Sequence, residues 1–145
     1  MHKVFYASGF LYHPPTQQIL LQQLENSQET SLMLFRGKGH HKETPAMVLQ
    51  RVLEKILQVR IPLQHVYPIY DYADSEIEGN HFITYAVVKD TMQKKLSRNP
   101  AVKWVAFKQI PKLKLSEQTK QDIIVGQRVI NLANRLSEEK IQATQ

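Results

Sequence analysis

The chain has 145 residues, 42% hydrophobic and 22% charged, which suits one globular domain around one core. It contains no cysteine, which excludes disulfides, thiolate metal sites and cysteine nucleophiles and fits a reducing compartment. A formal charge of +6 favours anionic partners: phosphates, nucleotides or nucleic acid.

In chain order, residues 3–12 are rich in aromatic and β-branched types and read as a strand, with a bulge at Gly9. Lys3 and the apolar run after it resemble a targeting segment, but His13-Pro14-Pro15-Thr16 follows, a turn rather than a cleavage site. Residues 18–23 and 31–35 read as two further strands separated by a polar loop. A basic loop, Arg36-Gly37-Lys38-Gly39-His40-His41-Lys42, comes next, its glycines allowing backbone angles closed to other residues. Thr44 and Pro45 open a helix as N-cap and first residue, and Pro62 forbids its continuation past about Gln58. Residues 65–70 and 81–88 read as strands joined by an acidic loop from Asp71 to Asn80, and 101–107 as a sixth strand. Ile110-Pro111 marks a turn, and Ser116 caps a long amphipathic helix to about Leu136, interrupted by Gly126. Residues 137–145 are expected to form a flexible tail. Three strands, a helix, three strands and a helix imply a mixed α+β sheet domain over residues 1–145. No apolar run approaches the ~20 residues that span a bilayer, so a cytoplasmic protein without membrane attachment is expected.

Gly37 is followed after five residues by Glu43 and after seven more by Arg51, with Leu53 and Val59 at two bulky aliphatic positions. This spacing resembles the start of the Nudix box, Gly-x5-Glu-x7-Arg-Glu-U-x-Glu-Glu-x-Gly-U, where U is bulky and aliphatic. The order of elements agrees over about residues 3–136, including the late strand Val102-Lys103-Trp104-Val105-Ala106-Phe107. The resemblance implies a Nudix-type mixed sheet flanked by a box helix and a C-terminal helix. It also implies hydrolysis of nucleoside diphosphate derivatives with Mg²⁺ or Mn²⁺, and a role for Glu43 and Arg51 in holding the box loop to its helix.

The remaining box positions depart from the pattern. Val52, Lys55 and Ile56 stand where the family has glutamates, and Gln58 where it has glycine; Glu54 falls on the variable position. On a helical wheel Ala46, Val48, Leu49, Val52, Leu53, Ile56 and Leu57 share one face, and Gln50, Arg51, Glu54 and Lys55 lie opposite. Hard divalent cations need several oxygen ligands, and an ammonium beside them repels. Metal binding of the family type is therefore expected to be lost, with no cofactor required.

Other clusters have competing readings. Arg36, Lys38, His40, His41, Lys42, Arg51 and Lys55 form either a phosphate-binding site or a solvated basic surface. His40 and His41 with Glu43 are a minimal set for a metal. Asp71, Asp74, Glu76 and Glu78 form a solvated loop or supply a late base, Glu78 being the preferred candidate. Tyr6, Tyr12, Tyr70 and Phe82 either stack on a base or pack in the sheet. The broad apolar face of the last helix packs on the sheet or joins two copies of the chain. The leading expectation is a Nudix-like protein without metal-dependent activity that binds a nucleotide, another phosphorylated ligand or a partner. The alternative is an active hydrolase of nucleoside diphosphate derivatives recruiting metal ligands from Glu43, Glu54, Glu78 or the histidines His40 and His41. A third is an interaction module whose site is closed by Val52 and Ile56.

Overall fold

The computed structural model describes residues 4–25, 30–40, 42–73 and 79–143. Seven strands form one sheet: β1 (Tyr6–His13), β2 (Gln18–Glu25), β3 (Thr30–Met33), β4 (Phe35–Lys38), β5 (Val66–Ala73), β6 (Asn80–Val87) and β7 (Val102–Ala106). Three α-helices accompany it: α1 (Pro45–Leu57), α2 (Asp90–Leu96) and α3 (Glu117–Ala143). The strand order is β3-β2-β1-β6-β5, with β4 also on β1 and β7 also on β2. β1 and β6 run parallel, and every other pair is antiparallel.

The hairpin of β1 and β2 turns through a 3-10 segment at Pro14–Thr16 and then splays. The segment that follows fills the opening. β3 pairs with the far end of β2, the chain breaks step at Leu34, and β4 pairs with the start of β1. A single apolar run thus makes two strands, so seven strands stand where six were expected.

Alternation sorts each strand's side chains onto the two faces of the sheet. Ala7, Leu11, Leu20, Phe35 and Ala86 meet Val48, Leu49, Val52, Leu53 and Leu57 of α1 in one core. Phe10, Tyr12, Ile19, Leu21, Ile83, Tyr85 and Val105 meet Ile123 and Ile130 of α3 in the other. Gly126 lets α3 settle closely, because a Cβ there would lie 2.9 Å from both Phe10 and Ile69. Ile124, Leu132 and Leu136 stay exposed.

Several expectations need correction. Arg36, Gly37 and Lys38 belong to β4, not to a loop. Neither Gly37 nor Gly39 has a positive φ; among the described residues of the loop it is Lys42 that is left-handed, at φ 75°. Gly37 is required for contact instead, since a Cβ would sit 2.5 Å from Val52 Cγ2. Gly9 pairs regularly on both sides, and the bulge of this sheet lies between Pro68 and Tyr70. Asp71 stands in β5, so the acidic loop is shorter than expected. α2 was not anticipated, and α3 runs past Leu136 to Ala143. No described helix is long and apolar enough to cross a membrane.

Candidate functional site

The loop between β4 and α1 is held by one carboxylate. Thr44 caps α1, its hydroxyl oxygen accepting the Met47 N–H at 3.2 Å, with Pro45 in the first turn. Arg51, two turns along, reaches back: Nε donates to Glu43 Oε2 at 2.9 Å and Nη2 to Oε1 at 3.1 Å. The same Nη2 donates to the Lys38 carbonyl at 2.7 Å, and the His40 N–H donates to Glu43 Oε1 at 2.8 Å. Both oxygens of Glu43 are therefore engaged. Hydrogen bonding from Arg51, then from the His40 backbone, holds its pKa below the usual carboxylate value against the opposing effect of burial.

Beneath this clip, α1 turns Val48 and Val52 onto Gly37, and both valines are buried. Ile56 is half-buried on the same side. Glu54 and Lys55 are exposed, and Glu54 pairs with Arg60 at 3.3 Å, away from Glu43. Among the described residues no three His, Asp or Glu side chains converge within metal-ligand reach. Aliphatic side chains and a single carboxylate engaged by Arg51 do not fit Mg²⁺ or Mn²⁺, which need several open carboxylate oxygens. Gln58 ends α1 in the left-handed conformation at φ 54°, the geometry that favours the glycine of the box pattern. His41, Asp74, Glu76 and Glu78 lie outside the described residues.

The structure divides the basic cluster between faces. Gly37 points at α1, so its neighbours Arg36 and Lys38 point to the α3 side of the sheet. Arg51 is committed to the loop, Lys55 lies on the outer side of α1, and His40 and Lys42 are exposed at the loop tip. Among the described residues of this cluster, Arg36 lines a cavity.

That cavity is a cleft of about 440 Å³ between the sheet and the start of α3. Its walls include Ser8, Arg36, Tyr72, His81, Thr119 and Asp122. The Arg36 guanidinium lies 4.5 Å from the centre of the Tyr6 ring, which steadies a cation at the mouth. On the floor, buried Ser8 and His81 are joined, Oγ to Nε2, at 2.7 Å, and Tyr72 OH lies 3.3 Å from His81 Nδ1. At the α3 wall, Asp122 is 3% exposed and its Oδ1 accepts from Tyr70 OH at 2.6 Å and Gln118 Nε2 at 2.9 Å. Burial raises the Asp122 pKa, and burial with the adjoining carboxylate raises that of Tyr70. The other aromatic candidates pack: Tyr12 is buried, and Phe82 meets Phe5 edge-on at 5.5 Å. Sequence reading passed over Ser8, His81, Tyr72 and Asp122. Ser8 and His81 are the polar interruptions on the otherwise apolar α3-facing sides of β1 and β6, a signal that registers only once those strands are paired.

No family model and no curated protein matches the sequence. Solved structures do. A mutT/nudix family protein from Listeria innocua aligns with a TM-score of 0.68 at 14% identity, covering 91% of this chain and 96% of that one. The NUDIX domain of Shewanella oneidensis NrtR, complexed with ADP ribose, gives 0.63 at 16% identity, covering 90% of each chain. The C-terminal domain of mouse MUTYH, in a complex with human PCNA, gives 0.64 at 10%, covering 90% and 91%. The chain has the Nudix fold.

Proposed function

We propose that this chain is a Nudix-fold binding protein that takes a nucleotide or related phosphorylated ligand into the cleft under α3 and does not hydrolyse it with a metal. The observation that carries the reading is the state of the box. The side of α1 over Gly37 presents Val48 and Val52, and both oxygens of Glu43 already accept hydrogen bonds from Arg51 and the loop. On the opposite face, a cleft with a cation at its mouth and polar groups on its floor remains open. Arg36 supplies the charge that meets a phosphate. Ser8, His81 and Gln118 offer donors and acceptors to the rest of the ligand.

ADP-ribose, bound by a structural neighbour, is the first probe; ADP, nucleoside triphosphates and sugar nucleotides complete the panel. Calorimetry without divalent cation is expected to detect binding, and Arg36→Ala to weaken it about tenfold, the loss of one charge-assisted hydrogen bond. The same panel with Mg²⁺ or Mn²⁺ is expected to show no turnover. Metal-dependent hydrolysis at about 1 s⁻¹ or faster, an ordinary enzyme rate, would overturn the reading.

A further inference from the structure

The positive charge of this chain is concentrated. Residues 89–120 hold nine Lys or Arg and two Asp or Glu, a balance of +7, while the rest of the chain carries −1. One of the two acids, Asp90, is engaged by His13 Nε2 at 2.7 Å.

The fold gathers seven of these nine cations around one edge of the sheet. β7 pairs with β2 alone among the described strands. α2 precedes it, with Leu96 buried and Met92 packed on the α1-side core, so Lys89, Lys94, Lys95 and Arg98 face outward. Lys103 is exposed on β7 opposite Leu21. Lys108 and Lys112 are exposed on the 3-10 segment Phe107–Lys112 that follows. The Pro14–Thr16 turn ties the ends: Pro14 and Pro15 adjoin Lys89 to Thr91, while Thr16 adjoins Ala106 to Lys108. Lys89, Lys94, Lys95, Arg98, Lys103, Lys108 and Lys112 form no ion pair with any described residue. The band is separate from the α3-side cleft, of which it lines no part.

We infer that this band binds the phosphate backbone of a nucleic acid duplex without reading its sequence. The surface chemistry decides the partner. No large exposed hydrophobic side chain falls within residues 89–120, so the band has no wedge for a bilayer. Trp104 and Phe107 are half-buried in the cores, so no ring stands free to stack on an unpaired base. What remains is a set of exposed lysine and arginine side chains along one sheet edge, the equipment for neutralising phosphates.

The test is fluorescence anisotropy with a labelled duplex of about 20 base pairs, titrated between about 50 and 200 mM salt, the range over which phosphate contacts are read. With about seven phosphates neutralised, one for each cation of the band, log K is expected to fall with log salt at a slope of about −6.3. The triple variant K94Q/K95Q/R98Q should flatten that slope by about 2.7, and K103Q/K108Q/K112Q by a similar amount. All six residues are exposed, so melting temperature should hardly move. K55Q/R60Q, on the α1 side, is the charge control and should leave the slope near its original value. Absence of binding at the lowest salt, equal loss in the control, equal competition by polyglutamate of matched charge, or preference for phosphatidylserine vesicles over the duplex would each overturn the inference.

Discussion

Glu43 and Arg51 act as a clasp. Their bidentate contact joins the loop to the helix and also caps the Lys38 carbonyl, so its removal loosens three segments at once. Arg51 is 41% exposed, and water weakens the pair. Arg51→Gln is accordingly expected to cost about 1 kcal/mol at neutral pH, seen as a lower urea midpoint. The sign of the pH dependence follows from Glu43. Its pKa is lowered on folding, so the stabilisation is present above the unfolded carboxylate value and is lost as pH falls through the lowered one. The gap between wild type and variant should therefore close in acid. Gln58 makes the opposite case. It occupies a left-handed position at φ 54°, and its side chain makes one contact, to the Lys55 carbonyl at 3.2 Å. Gln58→Gly should stabilise the chain by about 0.5–1 kcal/mol, the release of the Cβ strain exceeding the entropy glycine adds to the unfolded state. A melting temperature that falls would show the strain to be absent.

At the level of elements, β4 and α1 are joined by shape. Gly37 admits the two valines of α1, and even one methyl there meets Val52 Cγ2 at 2.5 Å. Gly37→Ala should destabilise the fold by about 1–3 kcal/mol through overpacking, and adding Val52→Ala should recover part of that loss. Thermal melts of the two single variants and the double variant measure the coupling; strict additivity would place the clash elsewhere. Which elements could be foreseen follows from where their causes lie. α1 was legible because Thr44, Pro45 and the apolar spacing of Val48, Leu49, Val52 and Leu53 are local causes. Five of the seven residues on its expected apolar face are buried, and Ala46 and Ile56 pack half-buried against the same core. The division at Leu34 was not legible, because a strand that changes partner keeps the same local pattern. α2 escaped because its seven residues bury only Leu96 and carry no side-chain cap. The cleft was the least accessible of all. Ser8 and His81 are 73 residues apart and meet only because β1 and β6 pair in parallel.

For the whole molecule, the sheet separates the Glu43–Arg51 clasp from the open cavity. α1 covers one face with aliphatic contacts, and the cleft opens on the other beside α3. Substitutions on the two faces should thus separate stability from ligand affinity. Val52→Ala removes two methyl-equivalents from a site 7% exposed and should cost about 2 kcal/mol, lowering the melting temperature. It touches no wall of the cleft, so calorimetric affinity for the ADP-ribose probe should hold. Arg36→Ala removes an exposed side chain whose one described partner is the Tyr6 ring, and should leave melting nearly unchanged while affinity drops. The reciprocal pattern, with Val52→Ala abolishing binding in a protein that still melts cooperatively, would move the ligand to the α1 face. That result would return the box helix to the centre of function, since the ligand would then be held where Val48, Val52 and Ile56 replace the oxygen-rich surface that the box pattern implies.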